Sequence, residues 1–191
     1  MEHISNEMLI AIKEINKQYP DTIFCGSLGL VLNNKLDREV KDIDLLTDDN
    51  YYSKSDFFHD LRVANKSQSH KFMLGENEVS CFKIEMPILN KVISIDALGN
   101  LSGTEFDIME LDGVDIKVEK PEFAIKAKIN YIKADKSNKS VLKHLKDLIY
   151  MEVDKNLIIE AIDNSVLSPE VNKNEEISLD FPDFRNFPKF K

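Results

Sequence analysis

The sequence predicts an α/β chain of the α+β kind, a mixed β-sheet flanked by helices and followed by a C-terminal helical segment. Three observations carry that expectation. Short apolar runs bounded by turn residues recur at 22–25, 42–47 and 91–97, the length of strands rather than helices. Asp112-Gly113 stands between 107–111 and 114–118, and Asp-Gly between two strand-like segments is a strong hairpin signal. After Pro121 the apolar residues change to helical spacing, with Phe123, Ile125, Ile129 and Ile132 in one run. The organisation expected is a core over 1–118, a helical segment over 119–165 and an extended aromatic tail over 166–191.

Each element has its own signal. Residues 4–18 read as a helix with Met8, Leu9, Ile12 and Ile15 on one face, broken by Pro20-Asp21. A short buried strand at 22–25 is followed by a helix over 28–36, where Leu28, Leu32 and Leu36 share a stripe. Asp42–Thr47 is the second strand, Asp48-Asp49-Asn50 a turn, and Ser55 the cap of a helix over 56–65. Strands over 69–74 and 78–86 are joined at Gly75-Glu76-Asn77. In the strand at 91–97, Val92, Ser94 and Asp96 share one face, and Ile93 and Ile95 the other. Pro121 sits in the first turn of a helix reaching about Ala134. Ser140 caps a second helix through Met151, and 157–162 forms a short third. In the tail, Phe181, Phe184, Phe187 and Phe190 recur every three residues, while Pro182 and Pro188 exclude a regular helix. That segment is expected to lie over the core or to bind a partner.

Composition narrows the function classes. With 191 residues, 42% of them hydrophobic and 31% charged, the chain has enough apolar material for one ordinary core. No run reaches the roughly 18 apolar residues that span a bilayer, and the N-terminus lacks the basic region of a signal peptide. Cys25 and Cys81 both lie in apolar runs and read as buried, reduced thiols, so a cytoplasmic location without membrane contact is expected. A net charge of −9 disfavours broad non-specific binding to nucleic acid, although Lys126, Lys128, Lys133, Lys136, Lys139, Lys143 and Lys146 concentrate positive charge in one segment. His3, His59, His70 and His144 show no zinc-site spacing, and neither a P-loop nor a Gly-x-Ser-x-Gly nucleophile elbow is present.

The chemistry concentrates in residues 21–46. Asp42 and Asp44 are separated by one residue inside an apolar run, so on a strand both face the same side. Adjacent carboxylates repel, and a divalent cation between them gives the pair a reason to exist; a solvated pair at a strand end is the plain alternative. Gly26-Ser27 ends the preceding apolar run, where backbone N–H groups and a hydroxyl can meet phosphate. Asp96, on the polar face of a later strand, adds a third carboxylate. Three carboxylates on two strands can hold two Mg²⁺ ions, an arrangement suited to phosphoryl transfer.

In this order Gly26-Ser27, Asp42 with Asp44, and Asp96 resemble the nucleotidyltransferase-fold (DNA polymerase β-like) superfamily. Arg38 four residues before Asp42, the Pro121-Glu122 helix carrying Lys126 and Lys128, and the later Lys146-Asp147 are similar to the AbiEii-type group, which includes toxins of bacterial toxin–antitoxin systems. The resemblance spans about residues 20–150 and implies an enzyme that moves an NMP from an NTP to an acceptor hydroxyl. It implies that Asp42, Asp44 and Asp96 hold Mg²⁺, two ions in the expected arrangement, with Asp96 also as general base. Gly26 and Ser27 would contact the triphosphate, Lys128 would neutralise it, and Arg38 would orient the Asp loop or touch substrate. The acceptor stays open among a protein side chain, a tRNA 3′ end and a small molecule. A toxin–antitoxin or phage-defence role, with an antitoxin or other partner protein, belongs to the same expectation. The competing expectation is a non-catalytic binding module of the same fold that pairs with a partner protein.

Overall fold

The computed structural model describes residues 3–47, 68–74, 77–99, 103–134 and 138–163. The expected 48–50 turn, the 56–65 helix, Gly75-Glu76 and the aromatic tail lie outside the described residues. Helix α1 (Asn6–Gln18) begins at Ser5, whose Oγ accepts a hydrogen bond from the Met8 N–H at 3.2 Å. Strand β1 (Ile23–Cys25) runs directly into α2 (Gly26–Leu32), followed by β2 (Asp42–Thr47), β3 (Gln68–Leu74) and β4 (Asn77–Ile88). Next come β5 (Lys91–Gly99), β6 (Phe106–Leu111) and β7 (Val114–Glu119). Three helices close the described chain: α3 (Pro121–Ala134), α4 (Asn138–Tyr150) and α5 (Lys155–Asp163).

Among the described residues, seven strands form one mixed sheet in the order β3-β4-β5-β2-β1-β7-β6. β2 runs parallel to β5 and β1 parallel to β7; the remaining neighbours are antiparallel. Period-two alternation gives each central strand a buried side. Phe24, Ile43, Leu45, Ile95 and Val118 share one cluster with Met8, Ala11, Ile12 and Ile15 of α1. Burying one such side chain contributes about 1.5–3 kcal/mol, so this face anchors the fold. The opposite face carries the candidate site.

α3 contacts both α2 and β3. α3, α4 and α5 share a second cluster of Ile132, Val141, Leu148, Ile158 and Ala161. A third cluster, Leu30, Leu36 and Ala124, ties α3 to α2 and the loop after it. Here the structure departs from the expected helix over 28–36. α2 starts at Gly26 and stops at Leu32, Asn34 adopts φ 55°, and the Lys35 and Leu36 N–H groups both reach back to the Leu30 carbonyl. Leu36 is buried because the chain folds back, not because the helix continues.

Asp112 and Gly113, at φ 51° and 78°, form the turn between β6 and β7, as the sequence predicts. Cys25 and Cys81 are free and buried, on strands separated by β2 and β5. No helix among the described residues is long and apolar enough to cross a membrane.

Candidate active site

Strand register assembles the site. Asp44 of β2 faces Asp96 of β5, and Asp42 faces Ser94. Cys25 of β1 lies opposite Asp44 on the other side, and Lys83 of β4 opposite Asp96. Directly paired residues point to the same face. Cys25, Asp44, Asp96 and Lys83 therefore form one row across four strands, with Asp42 and Ser94 one step along. A row of Ile23, Leu46, Leu98 and Cys81 closes the other side. The three predicted carboxylates are thus neighbours on one face, although 52 positions separate Asp44 from Asp96 in sequence.

The row meets β1 where the strand turns into α2. Gly26 has φ 61°, and a Cβ there would stand 2.7 Å from Asp44 Cγ and 2.9 Å from Asp44 Cβ. Glycine is required twice over, by backbone conformation and by space. Burial, then the charges of Asp42 and Asp96, push the Asp44 carboxyl up to about 7 against the opposing charges of Lys143 and Lys128. A fourth acid joins this group. Glu119, buried at the end of β7, accepts the Gly26 N–H at 3.4 Å, and burial chiefly pushes its carboxyl up to about 7. Sequence reasoning missed Glu119 because only the β1–β7 pairing brings it to the site. The backbone N–H expected to meet phosphate is directed to this carboxylate.

The cations are arranged in a network. Arg38 reaches Asp147 of α4 through Nε and Nη2, both at 3.0 Å, and its Nη2 also donates to Ser27 Oγ at 2.6 Å. Lys128 Nζ of α3 donates to Asp147 Oδ2 at 2.8 Å, with each side chain of that pair 6% exposed. Burial works to raise the Asp147 carboxyl, but Arg38 and Lys128 outweigh it and hold the group below its ordinary value. Ser27, Arg38, Lys128 and Asp147 form one connected unit joining α2, the loop before β2, α3 and α4. Arg38 sits in a partly buried bidentate pair rather than a loose surface bridge.

Two further groups border the acids. Lys83 Nζ lies 3.4 Å from Asp96 Oδ2, while Asp96 Oδ1 is buried with no hydrogen-bond partner among the described residues. Tyr131 of α3 stacks on His144 of α4 with ring centroids 5.2 Å apart. Burial, with Asp44 next, drives the Tyr131 hydroxyl far above its usual range, which keeps it protonated. Lys143, exposed on α4, acts on Asp44 as well. The sequence offered no way to single out Lys143 from the other lysines of its segment.

The donor chemistry is of the kind that Mg²⁺ takes. It consists of hard carboxylate oxygens in register, one of them buried and unpartnered among the described residues, with mutual repulsion that a cation relieves. Among the described residues, no group of three or more His, Cys, Asp or Glu side chains is placed to hold a metal ion by itself.

No protein-family model matches the sequence, and no curated protein matches it. Solved structures do resemble the fold. An antigenic nucleotidyltransferase-like protein from Paracoccidioides brasiliensis is similar with a TM-score of 0.51 and 14% identity, over 84% of this chain and 88% of that one. JHP933 from Helicobacter pylori gives a TM-score of 0.39 and 14% identity, over 71% of this chain and 60% of that one. The first likeness shows a nucleotidyltransferase-like fold.

Proposed function

We propose that this chain is a nucleotidyltransferase, moving a nucleoside monophosphate from an NTP to an acceptor hydroxyl with release of pyrophosphate. The observation that carries this reading is the in-register set of Asp42, Asp44 and Asp96 on two parallel strands, packed against a glycine with no room for a Cβ. Three acids set together in partly buried surroundings are costly unless a cation and phosphates complete them. Asp42, Asp44 and Asp96 would hold Mg²⁺, two ions in the expected arrangement, and the bound metal would supply charge neutralisation at the phosphates and polarise them for attack.

The remaining roles fall to the chain itself. Asp96 takes the proton of the acceptor hydroxyl as its oxygen bonds the α-phosphorus; the bond to pyrophosphate breaks, and pyrophosphate departs with the electron pair. Gly26 allows Asp44 its close approach. Ser27 and Arg38 border the triphosphate side of the row, and Arg38 holds the Ser27 oxygen so that the hydroxyl proton is left to donate. Lys128 keeps Asp147, and through it Arg38, in place.

The test uses α-³²P-labelled ATP, GTP, CTP and UTP with Mg²⁺ and cell extract as the acceptor source. Wild type should transfer label from at least one, and Asp42→Asn and Asp44→Asn should abolish transfer while keeping a native circular-dichroism spectrum. Undiminished transfer in either variant removes the assignment. A wild-type protein inert with all four nucleotides shifts the reading to the non-catalytic binding module.

A further inference from the structure

We propose that Lys143 is the residue that meets the β- and γ-phosphates of the incoming triphosphate, and that Lys128 is a positioning residue. The inference rests on the nucleotidyltransferase reading and assigns the cation of its donor subsite.

α3 and α4 lie against each other, and their cross-contacts include Lys128 with Asp147 and Tyr131 with His144. Moving three residues forward on α3 matches moving three back on α4, so the helices are antiparallel and in step. Asp147 fixes one turn of α4 beside Arg38 and Ser27. Lys143 is four residues before Asp147, so it lies on nearly the same line of the helix, one turn or about 6 Å along. That turn also carries His144, whose partner Tyr131 is in electrostatic reach of both Asp44 and Asp96. Lys146, by contrast, is turned by about 100° from the Asp147 line.

Three nearby lysines already have acidic partners. Lys128 is buried on Asp147, Lys83 is paired with Asp96, and Lys133 lies 3.7 Å from Glu160. Lys143 is exposed and has no ion-pair partner among the described residues. Turning Lys128 toward a triphosphate would leave the buried Asp147 without one of its two cations, a costly exchange. An exposed ammonium on a flexible stem gives up little to reach a phosphate.

The test is isothermal titration calorimetry on the full chain with Mg²⁺ and, separately, ATP, GTP, CTP, UTP and inorganic tripolyphosphate. Lys143→Ala should weaken tripolyphosphate and every bound NTP by about tenfold or more, with the melting temperature unchanged. Lys143→Arg should restore affinity to within about threefold, and Lys155→Ala, which removes an exposed lysine elsewhere, should bind as wild type. If wild type and Lys143→Ala bind the triphosphates equally while Asp44→Asn binds them weakly, the Lys143 assignment falls and the nucleotidyltransferase reading stands. If wild type binds neither the NTPs nor tripolyphosphate, both fall.

Discussion

Gly26 shows how tightly single atoms are set in this site. An alanine there would carry its Cβ into the Asp44 carboxylate and hold a side-chain residue at φ 61°. Gly26→Ala should destabilise the protein by on the order of 2–4 kcal/mol, read as a lower melting temperature, and should weaken divalent-cation binding through displaced Asp44. Gly29→Ala is the comparison: Gly29 sits in α2 without positive φ, its added Cβ would meet the Phe24 carbonyl oxygen at 3.3 Å, and the loss should be smaller. The acids also set a pH response in metal-free protein. Asp44 and Glu119 titrate at about 7 when folded, against about 4 in an unfolded chain. Between those values the native state holds protons that the unfolded state has released, so stability falls as pH rises from about 4 to about 7. Asp147 works in the other sense: its depressed value adds stability above about pH 4 that is lost as pH falls through the folded value. Thermal melts in EDTA should therefore show greatest stability in mildly acid solution, and Asp44→Asn should flatten the decline toward pH 8. An unchanged slope in Asp44→Asn would contradict the electrostatic account of the row.

At the scale of elements, local pattern was read well where one signal decided the outcome. β2 has the expected Asp42–Thr47 bounds because two acids alternate with core residues. The Asp112-Gly113 turn and the Pro121 helix start were equally plain. The sequence predicts too long an α2 because leucines at every fourth position mimic a helix; Leu28 and Leu32 pack on the main core, whereas Leu36 joins Leu30 and Ala124 through the Asn34 reversal. Glu119, Tyr131 and Lys143 were not legible as site residues, since each joins the site through strand register or helix pairing rather than spacing along the chain. The joint between helices and sheet rests on Asp147. Replacing it with alanine leaves Lys128 buried and Arg38 half-engaged, so Asp147→Ala should cost about 3–5 kcal/mol in chemical denaturation. Pairing it with Lys128→Met should restore part of the loss, because the buried charge is then gone; strictly additive losses would show that the ion pair does not join these helices.

The whole molecule is a sheet with two differently used faces. One face is committed to α1 and the apolar core, and the other gathers acids from β2, β5 and β7 beneath α3. The first face follows from alternation that sequence records directly. The second depends on which strands become neighbours, and the three predicted acids came together because β2 and β5 pair in parallel with Asp44 opposite Asp96. The acceptor leaves no comparable mark, so the central claim is best tested where no acceptor is needed. Electron paramagnetic resonance of Mn²⁺ as a stand-in for Mg²⁺ measures free ion directly during titration with protein. Wild-type protein should take up Mn²⁺, more tightly with a triphosphate present, and Asp44→Asn should bind it at least tenfold more weakly. Equal uptake by wild type and Asp44→Asn would contradict the account.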